Sequence, residues 1–250
     1  MIEEGILNPY HQTSVGHGIT QPKYALVNIS GTSHRCVVKT AGHKEIAAEC
    51  YCALLGSALG LPTLQPIIVR DLKDNSLSFG SRNVGYPNLS SRLGIGDRAN
   101  SSQMLALAHV LSTWAQVGQV ISFDELIVNG DRNPGNVLWG GDVFTIIDHE
   151  RALQIEPMLI NKLAQFSTNN FDPQQVTSVG SASVAAAMTH QAMLTANSTT
   201  FTSIQNAFLS APREIAQYSY ACERITKAIL PKLTGNTANA MSPLFVRKMV

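Results

Sequence analysis

Hydrophobic and polar positions change their period along this chain, and each change marks an element. Residues 24–29 (YALVNI) and 35–39 (RCVVK) are apolar, β-prone runs on either side of GTSH, which predicts a hairpin. From 45 to 61 (EIAAECYCALLGSALGL), Ile46, Cys50, Ala53, Leu54 and Leu61 recur at helical spacing, and Gly60 and Pro62 supply the stop. Residues 66–69 (PIIV) and 76–81 (SLSFGS) predict two further strands. Up to residue 84 the chain therefore reads as a small sheet carrying one helix.

The texture then changes. Residues 85–100 (GYPNLSSRLGIGDRAN) are rich in Gly, Ser and Asn, so a connection between lobes falls near 82–87 with a loop behind it. A helix capped by Ser101 or Ser102 runs through 104–117 (MLALAHVLSTWAQV). A shorter helix over 122–129 (SFDELIVN) starts from Ser122, with Glu125 in capping-box position. Residues 136–147 (NVLWGGDVFTII) predict a second hairpin around Gly-Gly-Asp. Beyond 151 the pattern is helical and polar, with segments near 157–166, 173–194, 200–209 and 212–231 and no chemical motif.

Composition narrows the function classes. The chain of 250 residues is long enough for two lobes around a sizeable core. A formal net charge of +1 supplies no basic field for nucleic acid. Charged residues make up only 14%, so Ser, Thr, Asn and Gln must cover the surface, and 44% hydrophobic content argues against disorder. Cys36, Cys50, Cys52 and Cys222 match no zinc spacing and no disulfide framework, and read as buried reduced thiols. The opening MIEEGILNPY lacks the basic and apolar regions of a signal peptide, and no apolar run approaches the ~18 residues that span a bilayer. The expectation is a cytoplasmic protein without direct contact to membrane or nucleic acid.

The densest chemistry is NGDRNPGNVLWGGDVFTIIDHE, 129–150. A hairpin from Asn136 to Asp148 brings an amide oxygen and a carboxylate together. That pair suits a hard cation such as Mg²⁺ otherwise bound by water and phosphate, whereas zinc would want His or Cys. Asp131 precedes Asn136 at the D-x-x-x-x-N spacing of the protein-kinase catalytic loop, in which the Asp accepts the proton of the attacking hydroxyl. Any one of these residues alone is a turn former. As a set, Asp131, Asn136, the Gly-Gly turn and the closing IID point to phosphoryl transfer, with Asp131 as base and Asn136 and Asp148 on Mg²⁺ beside the phosphates of ATP. Such a site also needs a strand lysine held by a helix glutamate. RCVVK ends in Lys39, Glu49 follows on the predicted helix among apolar neighbours, and Glu45, one turn earlier, is the alternative partner.

With these residues in place the chain resembles the HipA-like serine/threonine kinases, bacterial enzymes that are often the toxin half of a toxin–antitoxin system. SVGHGITQPKYALV (14–27) is similar to the family's serine-containing glycine loop, followed by Gln-x-Lys and a strand. RCVVK resembles its ATP-lysine strand, and AECYCALLGSALGLP (48–62) the helix whose glutamate falls on Glu49. FDELIVNGDRNPGNVLW and TIIDHERAL resemble its catalytic and metal-binding segments. The likeness runs from about residue 10 to 155, and 156–250 carries no matched motif.

The resemblance implies an α+β, two-lobed protein-kinase-like fold, with residues 1–84 as a small β-sheet lobe with one helix and 85–250 as a larger, mainly helical lobe. It implies Lys39 on the ATP phosphates, paired with Glu49, and Gly16 and Gly18 in a loop over them, where backbone N–H groups need room that only glycine leaves. It implies autophosphorylation near that loop, with Ser14 and its neighbour Thr13 as candidates, since a phosphate there adds about two negative charges beside those of ATP. The partners it implies are a protein substrate of the aminoacyl-tRNA synthetase or translation-factor kind, and an antitoxin or small-lobe partner protein. This chain resembles a compact version, because the kinase-like part begins almost at residue 1. It departs from the pattern at Asp148-His149-Glu150, where common protein kinases have Asp-Phe-Gly, and at Asn133, where the family often has His.

Two other readings share these residues. GDRNPGNVLW and IIDHE also fit the GD…PGN…IDxE pattern of small-molecule phosphotransferases of the aminoglycoside or choline kinase type. GITQPK and FDELIVN favour the protein kinase, and only Asp172, Glu214 and Glu223 lie beyond Glu156 to build a pocket for a cationic acceptor. A nucleotide-binding pseudokinase is the second. AMP transfer onto a protein has nothing in the sequence that calls for it.

Overall fold

A computed structural model of the chain describes residues 1–15, 22–96, 98–154, 160–196 and 199–242. Its strands are β1 (Glu3–Ser14), β2 (Lys23–Ile29), β3 (Thr32–Lys39), β4 (Ile67–Arg70), β5 (Leu77–Arg82), β6 (Val137–Trp139) and β7 (Phe144–Ile146). Its helices are α1 (His43–Ala58), α2 (Leu89–Arg92), α3 (Ser101–Thr113), α4 (Val117–Leu126), α5 (Lys162–Asn170), α6 (Pro173–Ala196), α7 (Thr199–Leu209), α8 (Arg213–Ala216), α9 (Ser219–Ile229) and α10 (Leu233–Ala240).

The first five strands close into a barrel in the order β1-β2-β3-β5-β4, sealed by parallel pairing of β1 with β4 from Glu3↔Ile67 to Ile6↔Arg70. Side chains alternate across its wall as strand geometry requires. Ala25, Val27, Ile29, Cys36, Val38, Ile67 and Val69 fill the interior. Positions of the opposite parity, among them Tyr24, Val37, Lys39, Phe79 and Ser81, face outward and roof a cleft. The β2–β3 turn is tighter than GTSH suggested. Ser30 (φ 50°) and Gly31 (φ 85°) alone make it, in the two-residue form whose twist suits a hairpin. The sequence pattern did not predict β1. All its residues beyond Gly5 are partly or fully exposed, so no period-two signal marks it.

The larger lobe departs from the predicted helices in specific places. Asn100, and neither Ser101 nor Ser102, caps α3: its Oδ1 accepts the Gln103 N–H (2.9 Å) and Gln103 Oε1 accepts the Asn100 N–H (2.9 Å). The run 104–117 is interrupted, because α3 ends at Thr113 and α4 starts at Val117. Ser122 is therefore no cap but lies inside α4, fully buried, with its Oγ 3.1 Å from His190 Nδ1 on α6. The physical reason is the close approach of α4 to α6. Gly118 permits it, since a Cβ there would stand 2.9 Å from the Ser183 nitrogen. Further on, α5 begins later than the expected 157–166 segment, 212–231 divides into α8 and α9, and α10 extends the helical part.

The main hydrophobic core runs through α1, α3, α4, the β6–β7 hairpin and the later helices, apart from the barrel interior. The architecture is thus a small β-rich lobe joined to a larger helical one, with α1 shared between barrel and helices. All four cysteines are buried and unpaired. Among the described residues no single helix is long and apolar enough to cross a membrane.

Candidate active site

Lys39 ends β3 on the outward parity, and the barrel wall so delivers its ammonium to the cleft while leaving the residue only 8% exposed. Three carboxylates meet it. Glu49 Oε1 on α1 lies 2.7 Å away, Asp148 Oδ1 just after β7 lies 2.6 Å away, and Glu150 Oε2 lies 2.9 Å away. Glu49, and not Glu45, is the helix partner. Its second oxygen accepts the backbone N–H of His149 at 2.8 Å. Burial alone would lower the lysine's pKa, but the charges of Glu49 and Asp148 outweigh it and hold the ammonium above its ordinary value. Burial likewise works to raise Glu49, and the bond with His149 and the charge of Lys39 bring it down to about 2.

The catalytic-type loop is fixed from below by Arg132, whose side chain is fully buried. Its Nε and Nη2 donate to the two oxygens of Asp124 on α4 (3.2 and 2.9 Å). Its Nη1 donates to the carbonyls of Asn136 (3.2 Å) and Ile147 (2.6 Å), the two ends of the β6–β7 hairpin. Asn129 Nδ2 adds a bond to Asp124 (2.9 Å). One guanidinium thus sets the spacing between the loop and the strand that leads to Asp148. Above it, the side-chain amides of Asn133 and Asn136 both donate to the carbonyl of Asp131 (3.0 Å each), and Asn133 Oδ1 accepts the Gly135 N–H (2.8 Å).

Asn136 spends its amide nitrogen on that carbonyl, which leaves Oδ1 as its atom for a cation. Asp148 has Oδ1 on Lys39 and its side chain is 36% exposed, which leaves Oδ2. An all-oxygen pair beside a polar cleft fits Mg²⁺. Glu49, Asp148 and Glu150 also present ligand atoms within 4.8 Å of one another, with the Lys39 ammonium bonded to each. Asp148 adopts φ 65°, a left-handed conformation that a non-glycine residue takes at a cost of about 1–3 kcal/mol unless local bonds hold it, and such strain concentrates at functional sites. His149 is buried at the position after it, edge-on to Phe123 (6.1 Å, 82°).

The cleft between the lobes has a volume of about 440 Å³. Small-molecule sites span roughly 300–1,000 Å³. Val37 and Phe79 roof its apolar end and Leu138 and Ile146 floor it, with Val84 and Tyr86 of the connection at its side; Lys39, Asp131 and Asp148 line the charged end. Tyr86 is fixed there by a 2.9 Å hydrogen bond between its hydroxyl and Thr145 Oγ1.

The structure therefore brings Lys39, Glu49, Asp131, Asn136 and Asp148 to one cleft. Gly16 and Gly18 lie outside the described residues. Thr13 and Ser14 end β1 and are exposed. Thr13 pairs with Tyr24, which lines the cleft, while Ser14 pairs with exposed Lys23. Sequence reasoning missed Asp124, Arg132, Glu150 and Lys162. Arg132 had one weak signal, an arginine directly after Asp131 and eight residues after Asp124, but its burial is a tertiary fact. Lys162, whose Nζ is 2.5 Å from Asp131 Oδ1, carried none.

No protein-family model matches the sequence, and no curated protein does. Solved structures do. The fold is similar to the Helicobacter pylori proinflammatory kinase CtkA, with TM-score 0.58 and 12% identity over 95% of this chain and 96% of that one. It is also similar to an N-terminal 618-residue fragment of LepB from Legionella pneumophila, with TM-score 0.52 and 13% identity over 82% of this chain and 44% of that fragment. A thermostable mutant of the aminoglycoside phosphotransferase APH(4)-Ia aligns over 89% of this chain and 95% of its own, with 12% identity and a TM-score of 0.29, too low to bear on the argument. At such identities the likeness concerns the fold alone, and that fold, a small β lobe on a larger helical lobe with the cleft between them, is kinase-like.

Proposed function

We propose that the chain is an ATP- and Mg²⁺-dependent serine/threonine protein kinase of the HipA-like kind. The observation that carries this reading is the meeting of Lys39, Glu49 and Asp148, 109 residues from first to last, in one ion-paired cluster at the charged end of the cleft. The adenine ring would lie between Val37 and Phe79 above and Leu138 and Ile146 below. Lys39 would shift part of its bonding from Asp148 to the ATP phosphates while Glu49 keeps its ammonium in place. Asn136 and Asp148 would hold Mg²⁺, whose charge offsets that of the phosphates. Asp131 takes the proton of the acceptor hydroxyl as its oxygen attacks the γ-phosphorus and ADP leaves. Arg132 touches no substrate and keeps this loop in register with Asp148.

The acceptor in this reading is a protein hydroxyl, with an aminoacyl-tRNA synthetase or translation factor as target class and an antitoxin or small-lobe protein as partner, all by resemblance. Autophosphorylation falls on Thr13 or Ser14, and the strand parity favours Thr13. The test is incubation of the protein with Mg²⁺ and γ-labelled ATP beside Asp131→Asn, followed by mass spectrometry. Label on Thr13 or Ser14 in the wild type, reduced by at least ~100-fold in the variant, is the expected result. Bound nucleotide with no label on this chain or on any protein acceptor would overturn the reading.

A further inference from the structure

Asp131 is bracketed by cations that do not come from its own loop. Lys162 Nζ lies 2.5 Å from Oδ1, and Arg151 Nη1 stands 3.9 Å from Oδ2. The loop's own cation, Arg132, is committed to Asp124 and to two carbonyls. Lys162 is the first residue of α5, where the partial positive charge of a helix start disfavours an ammonium. Stability does not account for it either, because its side chain is 54% exposed and ion pairs at that exposure add little.

The backbone under Lys162 is nevertheless held firmly. Buried Asn161 caps α5 by accepting the Ala164 N–H (3.0 Å), and its Nδ2 donates to the Ile121 carbonyl of α4 (3.1 Å). The same helix carries Asp124, the anchor of Arg132. So α4 supports both the loop that carries Asp131 and the lysine that meets it. Among the described residues Lys162 is also the one hydrogen-bond donor on the Asp131 carboxylate.

We propose that Lys162 is a positioning residue for Asp131: its ammonium holds Oδ1, so that Oδ2 is the oxygen that takes the acceptor's proton. The inference rests on Asp131 acting as the base. In the step itself the bond from acceptor oxygen to γ-phosphorus forms as the bond from γ-phosphorus to the ADP oxygen breaks. The hydroxyl proton passes to Asp131 Oδ2 and then to solvent, and Lys162 keeps its proton throughout.

The test compares single-turnover autophosphorylation of wild type and Lys162→Met over a series of Mg·ATP concentrations, with melting temperatures alongside. The expected result is a maximal rate lowered about 10- to 100-fold, a half-saturating ATP concentration within about twofold, and a melting temperature within about 4 °C. Lys162→Cys treated with 2-bromoethylamine regains an ammonium at nearly the lysine's reach and should recover most of the rate; the four native cysteines are buried and should not compete. An undiminished rate in Lys162→Met, a loss explained by weaker ATP binding, or no recovery on aminoethylation would overturn the proposal. A wild type that transfers no phosphoryl group would overturn the reading of Asp131 as base with it, whereas an active wild type beside an equally active Lys162→Met removes this inference alone.

Discussion

Arg132 with Asp124, and Lys39 with Glu49, Asp148 and Glu150, are two charge clusters in one protein, and they are balanced in opposite ways. In the first, one guanidinium meets one carboxylate, both side chains are fully buried, and the spare donors of Arg132 end on backbone carbonyls. In the second, one ammonium faces three carboxylates, and the cluster opens toward solvent through Asp148, whose side chain is 36% exposed. A closed, neutral pair is what a scaffold needs, because a buried charge without a partner is strongly unfavourable. An excess of negative charge at the mouth of a cleft attracts a further cation. The difference separates a closed pair that holds the loop from a cluster with excess negative charge that opens to solvent, without any appeal to motif.

Breaking the balanced pair should have the largest effect on stability. Arg132→Met strands Asp124 in the core, and we expect a loss of about 3–5 kcal/mol in urea unfolding. Adding Asp124→Leu should recover a large part of that loss, since an apolar replacement of both partners removes the stranded charge. If Arg132→Met unfolds at the wild-type urea midpoint, the scaffold role is wrong. The cleft cluster should respond to cations instead. Mg²⁺ with a non-hydrolysable ATP analogue at about 100 times its dissociation constant should stabilise the wild type by about 2.7 kcal/mol. Asp148→Asn should lose most of that gain. An equal gain in Asp148→Asn and wild type would remove Asp148 from the metal site.

These two clusters were not equally legible in the sequence. Lys39, Glu49 and Asp148 each sit at the end or on the face of a strongly patterned element, so strand and helix periods carried them to one cleft. Asn136 and Asp131 were legible from spacing. Arg132 and Asp124 were not, because their roles depend on which loop residue turns inward, and local pattern does not record that. The barrel was read as a sheet for a related reason. Its closure depends on β1, whose polar, exposed length carries no alternation, and on a parallel pairing between residues about 60 positions apart, at a range periodicity does not reach. Ser122 misled as a cap because a serine before an Asp-Glu pair reads like a helix start, whereas the contact with His190 on α6 decides its place.

Glu125 sharpens the comparison by showing what happens where, among the described residues, excess charge finds no cation. It neighbours Asp124 on α4 and is half-buried, but Arg132 is already fully engaged. Burial raises its pKa, a bond with Asn161 works against the rise and the charge of Asp124 adds to it, and the result is about 7 in place of 4.5. Between those two values the folded chain binds more protons than the unfolded chain, so this group's contribution is fully present below pH 4.5 and is lost as pH rises through 7. Glu49 has the opposite sign: its lowered pKa stabilises above pH 4.5, and that contribution is lost as pH falls toward 2. Glu125→Gln should therefore be more stable than wild type at pH 8 by the order of 1 kcal/mol, with the difference shrinking toward pH 5. Melting curves of both proteins at the two pH values decide the matter. A gap of the same size at pH 5 and pH 8 would mean that Glu125 keeps its charge in the fold. The scaffold side would then tolerate uncompensated charge as the cleft does, and charge balance would no longer tell the two clusters apart.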